Sequence, residues 1–174
     1  MVTGFEPFGE HAVNPSQLVA EQFDGVVLPV SYARAAAALR VAIDDREPDA
    51  VVCFGLASER TSITPERFAH NLDEASTTDN DDAAGSGGEI EAGGPLATRS
   101  TLPVEAIVAA LREAGLPADV SRDAGGYLCN HVFYVLTRAL RDGQKGGFVH
   151  VPPLEVLPRE QLVRAAQIVV DAVS

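Results

Sequence analysis

The segment AGGYLCNHVFY (residues 124–134) places Cys129 between a Gly125–Gly126 turn and a stretch with helical spacing. The segment GGFVHVP (residues 146–152) reads as an apolar strand that ends near His150. A cysteine and a histidine together suffice for thiol chemistry, since the sulfur attacks an electrophilic carbon and the imidazole handles its proton. A thiol at a helix N-terminus faces the positive end of the macrodipole and free backbone N–H groups, which favour thiolate and stabilise a developing oxyanion. Cys53, inside VVCFG, instead has the setting of a small core hydrophobe.

The four histidines are sorted by position. His131 lies two residues after Cys129 on one helix, so its side chain points to another face and is read as structural. His150 ends the strand that follows the cysteine's helix. In a parallel α/β unit both residues then reach the carboxyl edge of the sheet, where ligands bind. His150 is therefore the leading base candidate, with a hydrogen-bonded histidine at a strand end as the equal alternative by pattern alone. His11 and His70 have no comparable argument. A third group should orient the imidazole, and the chain has 25 Asp and Glu residues, too many to choose among by composition. Glu66 is plausible by location, although Thr64-Pro65-Glu66 also reads as a capped helix start.

These residues need a scaffold. VVLPVSY (26–32) and AVVCFGL (50–56) read as buried strands, with ARAAAALRVAIDDRE between them as a helix. PVEAIVAALREAG is a helix opened by Pro103 and closed by Gly115, ADVSRDA (118–124) a strand, and NHVFYVLTRALRDG a helix closed by Gly143. A strand at GGFVHVP and a final helix at REQLVRAAQIVVDAV complete the chain. Such alternation predicts an α/β layer fold with a mostly parallel sheet. Residues 73–95 lack apolar periodicity and read as a long functional or mobile loop. Their GSGG is no phosphate loop, because no strand precedes it, no GK[ST] follows, and acids flank it.

A chain of 174 residues suits one domain. No apolar run reaches membrane-spanning length, and the first residues have neither a basic start nor an apolar core, so no membrane and no secretion are expected. Two unrelated cysteines suggest neither disulfide framework nor metal site and fit a reducing cytoplasm. The formal net charge is -12, and Lys145 is the sole lysine, which argues against nucleic acid as a partner. This balance also resembles proteins of salt-adapted organisms, with an acidic mesophile protein as the alternative.

The segments TGFEPFG followed by NPS, GLASERTSITPERFAHN, SRDAGGYLCNH and GGFVHVP stand in the order found in pyroglutamyl peptidase I, the pyrrolidone-carboxylate peptidase family of cysteine peptidases. The chain resembles that family over almost its whole length. The resemblance implies a three-layer αβα sandwich with a mostly parallel, mixed sheet, in which residues 1–174 form one catalytic domain. It implies a nucleophile at Cys129, a base at His150 and a third member at Glu66. Phe5 and Phe8 would lie against the substrate's lactam ring with Tyr127 nearby, and backbone N–H groups of Gly126, Leu128 and Cys129 would hold the oxyanion. The implied activity removes N-terminal pyroglutamate (5-oxoproline) from peptides without metal or cofactor, in a homo-oligomer, dimer or tetramer. Two phenylalanines in a tight Gly-bounded segment suit a lactam, which has no free amine and needs apolar walls with few hydrogen bonds. The chain departs from the family at several places. Ser76 stands where many relatives have an arginine near the site, Ser58 replaces a smaller residue, and Phe68 and His70 replace aliphatics. The loss of the arginine leaves a second reading, a weak or inactive homologue that binds pyroglutamyl peptides or a small lactam.

Overall fold

Strands and helices alternate from the first residues onward. In the computed structural model, which describes residues 1–75 and 77–173, the chain runs through β1 (Val2–Phe5), α1 (Pro15–Gln22), β2 (Val26–Leu28), α2 (Tyr32–Arg46) and β3 (Ala50–Leu56). Three short strands follow, β4 (Thr64–Pro65), β5 (Phe68–His70) and β6 (Ala97–Arg99). The second half comprises α3 (Val104–Glu113), α4 (Leu128–Ala139), β7 (Lys145–Val151) and α5 (Arg159–Asp171).

The main sheet has the order β2-β1-β3-β7-β4, parallel except for β4. Its backbone is the seven-residue pairing of β3 with β7, from Ala50 opposite Lys145 to Leu56 opposite Val151. Side chains alternate across a strand, so each serves two cores. Val52, Phe54, Val149 and Val151 point into the core shared with α1, α3 and α5. Val51, Cys53 and Phe148 point to the other side, where α2 and α4 pack. The result is a three-layer αβα sandwich with a mostly parallel, mixed sheet.

Local chemistry explains where the elements differ from their expected bounds. The strand expected over residues 26–32 stops at Leu28, because Pro29 follows and the Ser31 hydroxyl accepts from Arg34 N as the N-cap of α2. The sequence reading had no helix at α1, which starts where Asn14 Oδ1 accepts from Ser16 N and Pro15 occupies the first turn. The α4 helix ends at Ala139, before the expected Gly143. The strand expected at 118–124 does not form: the segment makes only isolated bridges, Ala118 with Ile63 and Ser121 with Glu66. Beyond them the Ser121 hydroxyl accepts from Asp123 N, and Asp123 Oδ1 accepts from Gly125 N. These short-range bonds fold the chain into a turn, with Gly125 at φ +81°.

Between β5 and β6 no helix or strand forms among the described residues. This long connection is nevertheless tied down. Asp79 accepts from the backbone N–H groups of Tyr32, Asp81 and Ala83, and Asn80 Nδ2 donates to Glu6 Oε1 and Pro7 O. Ser76 lies outside the described residues.

Candidate active site

Each of the three expected groups is brought in by a different kind of element. His150, near the carboxyl end of β7, shares the α2/α4 side of the sheet with Phe148, and their rings lie 4.9 Å apart. Glu66 follows β4, whose antiparallel pairing sets Thr64 opposite His150, and Glu66 N donates to Phe148 O. That register, and not a helix start, carries the carboxylate to the imidazole. His150 Nδ1 bonds Glu66 Oε1 at 2.7 Å, and both residues are buried. With Nδ1 donating to the carboxylate, Nε2 is left as the nitrogen that takes up a proton.

Cys129 occupies the first turn of α4, half-buried. Its sulfur rests over Gly55, which lies opposite His150 in the β3–β7 ladder. Cys129 and His150 both face one open cavity of about 540 Å³, which Arg60, Asp123 and Tyr127 also line. No side chain caps α4 at its N-terminus. Just before the helix, Gly126 O accepts from Glu74 N and Ala75 N, which anchors the turn carrying the expected oxyanion donors Gly126, Leu128 and Cys129.

A second, apolar pocket touches the thiol. It holds about 30 Å³ between Phe5, Phe8, Tyr127, Leu128 and Cys129, room for roughly one water. The two phenylalanines and the tyrosine expected together are thus together. Phe8 lies 6.2 Å from Tyr127, which meets Tyr32 edge-on at 5.8 Å and donates through its hydroxyl to Thr78 O.

Burial dominates the electrostatics. It raises the Cys129 thiol well above its ordinary value, with Glu66 adding to the rise and Arg60 opposing it. Burial likewise lowers His150, against the opposite pull of Glu66. Both shifts favour a neutral thiol and a neutral imidazole at rest. The thiolate expected from the helix N-terminus alone does not outweigh desolvation.

The other histidines lie apart from this constellation. His131 Nδ1 bonds Asp73 Oδ2 at 2.8 Å, His70 Nε2 approaches Arg122 O, and His11 packs on Phe8. Cys53 is fully buried. The sequence reading missed two contributors. Asn14 lines the apolar pocket and donates to Glu6 O, and Arg60 reaches Glu66 and Thr64. Arg60 was visible inside GLASER, but nothing in its spacing announced that contact. Among the described residues no cluster of His, Cys, Asp and Glu is arranged to hold a metal ion, and no helix is long and apolar enough to cross a membrane.

The sequence profile of the pyroglutamyl peptidase family matches residues 1–170. The chain belongs to the pyroglutamyl peptidase family. Among its relatives are the pyrrolidone-carboxylate peptidase of Klebsiella pneumoniae, 43% identical over 87% of this chain and 77% of that protein. The pyrrolidone-carboxylate peptidase of Gloeobacter violaceus is also 43% identical, over 94% of this chain and 84% of its own. Two solved pyroglutamyl peptidase structures share the fold. That of pyroglutamyl peptidase I from Bacillus amyloliquefaciens superposes with TM-score 0.93 at 34% identity, covering 99% of this chain and 92% of the other. Pyrrolidone carboxyl peptidase from Thermococcus litoralis gives 0.92 at 36% identity, covering 99% and 91%.

Proposed function

We propose that this protein is a cysteine exopeptidase that removes N-terminal pyroglutamate from peptides, with Cys129 as nucleophile, His150 as base and Glu66 orienting the base. The observation that carries this reading is His150, hydrogen-bonded to the buried Glu66 and facing the same cavity as a helix N-terminal cysteine, in a chain of this family. The apolar side chains of Phe5, Phe8 and Tyr127 beside the sulfur suit a lactam, whose ring needs more room than the pocket's volume of about 30 Å³ and so requires these walls to move apart on binding.

In this mechanism His150 Nε2 takes the thiol proton as Cys129 Sγ attacks the pyroglutamyl carbonyl. A sulfur–carbon bond forms, and the carbonyl oxygen gathers negative charge beside the backbone N–H groups of Gly126, Leu128 and Cys129. The imidazolium, held by Glu66, returns its proton to the departing amine, leaving a thioester. Water deprotonated by His150 then cleaves the thioester and frees pyroglutamate. A neutral resting pair suits this sequence, because the base must begin unprotonated.

The test is hydrolysis of a fluorogenic pyroglutamyl amide by wild type and Cys129→Ala, with the open-chain glutamyl amide as control. Activity that requires both Cys129 and the closed lactam supports the reading. A folded wild type that binds pyroglutamyl peptide but forms no thioester sinks it in favour of the binding homologue. The net charge of -12 further supports working in salt, so the assay belongs in a potassium chloride series. We read the whole chain as one catalytic domain acting in the cytoplasm as a homo-oligomer; sedimentation of the active species checks its assembly.

A further inference from the structure

One oxygen of Glu66 receives two donors. Arg60 Nη1 lies 2.6 Å from Oε1, the atom that His150 Nδ1 holds at 2.7 Å, while Oε2 is buried without a hydrogen-bond partner among the described residues. A carboxylate held only by the imidazole could turn about its last torsion, so the second donor fixes its plane. The same Nη1 reaches Thr64 Oγ1, on the strand that pairs with β7, and Nη2 donates to Asp123 O at 2.8 Å, in the turn leading to α4. A single guanidinium therefore spans the loop after β3, the acid and the segment that delivers the nucleophile's helix.

We propose that Arg60 is a positioning residue of this site: its fork holds Glu66 against His150 and locks the turn before Cys129 to both. The proposal rests on the peptidase reading. It assigns Arg60 no contact with substrate. Arg60 acts through Glu66 and through the Asp123 carbonyl. The charged and titratable groups around His150 are Glu66 beyond β4, Glu59 and Arg60 after β3, and Asp123, Tyr127 and Cys129 on the turn and helix that follow. Arg60 is the cation of this set, and it opposes protonation of the imidazole and favours loss of the thiol proton.

The experiment compares pH profiles of kcat and kcat/KM for wild type, Arg60→Gln and Arg60→Lys, with thermal unfolding and an NMR titration of the His150 imidazole in each. For folded Arg60→Gln we expect kcat to fall roughly 100-fold with little change in KM. Both limbs of the profile should move to higher pH by about one unit. Arg60→Lys keeps the charge but not the fork, so its limbs should stay near wild type while kcat remains low. If Arg60→Gln does not fold, Arg60→Lys and rescue of Arg60→Ala by guanidinium well below denaturing concentration decide the matter. Wild-type limbs and kcat in Arg60→Gln overturn the proposal, as does a lysine variant equal to wild type in kcat. Inactive wild type would sink the peptidase reading separately. The His150 titration still tests the coupling in that case, and an unmoved titration in Arg60→Gln overturns it.

Discussion

Cys129 and Gly55 are fitted to each other: a Cβ on residue 55 would lie 2.9 Å from Cys129 Sγ and 2.6 Å from Phe148 Cζ. The sulfur owes its place over β3, in the cavity that His150 also lines, to the side chain that Gly55 lacks. Gly55→Ala should therefore cost about 1–3 kcal/mol of stability through overpacking and displace the thiol. The expected outcome is a lower melting temperature with a larger proportional loss of kcat. Making the same change in Cys129→Ala should cost less, since one of the two clashes is gone. Equal costs in both backgrounds would contradict the fit.

His150 titrates below the ordinary histidine value of about 6.5, because it is buried. With the neutral imidazole as the proposed base, the acid limb of kcat/KM should lie below that value. Stability carries the same sign. As pH falls below about 6.5 the unfolded chain binds a proton that the folded chain resists, so folding is weakened down to the lower folded-state value. A His150→Gln variant should lose this part of the acid destabilisation, which denaturant titrations across pH would reveal.

Asn130 follows Cys129 and is fully buried. Its Oδ1 accepts from His70 N, and its Nδ2 donates to His70 O and Leu72 O. Asn130→Ala removes the side-chain partner of His70 N and Leu72 O, while His70 O keeps its bond from Leu72 N, and should cost on the order of 2–3 kcal/mol. Calorimetry gives the loss. Activity measured well below the new melting temperature should survive in part, unlike that of Cys129→Ala.

Tyr127 combines a ring in the apolar pocket beside Cys129 with a hydroxyl on Thr78 O. Tyr127→Ala should raise KM for pyroglutamyl amides about tenfold or more, as an aromatic wall is lost. Tyr127→Phe keeps the wall and should remain within a few-fold of wild type. Steady-state kinetics of the two variants separates ring from hydroxyl.

The α/β class and the places of Cys129 and His150 were legible because long parallel strands and amphipathic helices have strong periods, and their carboxyl edge follows from topology. Glu66 was not, without the family resemblance. Its position depends on β4, a two-residue antiparallel strand too short to show alternation. Arg60 acts through its long side chain, whose reach no spacing encodes. The α1 helix is announced by Asn14 and Pro15, a cap signal in a segment for which no element was expected. The opposite error occurred at 118–124, where apolar small residues suggested a strand and the Ser121 and Asp123 side chains folded a turn.

β7 is bonded to β3 along its length and to β4 at Val149 and His150, in the interior of the main sheet. Amides in such a strand exchange with solvent only when a large part of the molecule opens, whereas the first turn of a helix held by loop contacts exchanges through smaller openings. The two partners of the proposed proton transfer should thus exchange on different clocks. His150 should be the slower-exchanging member, and separation of the pair should follow opening of the turn before Cys129, which the Gly126 carbonyl holds to Glu74 and Ala75 and Arg60 holds at Asp123 O.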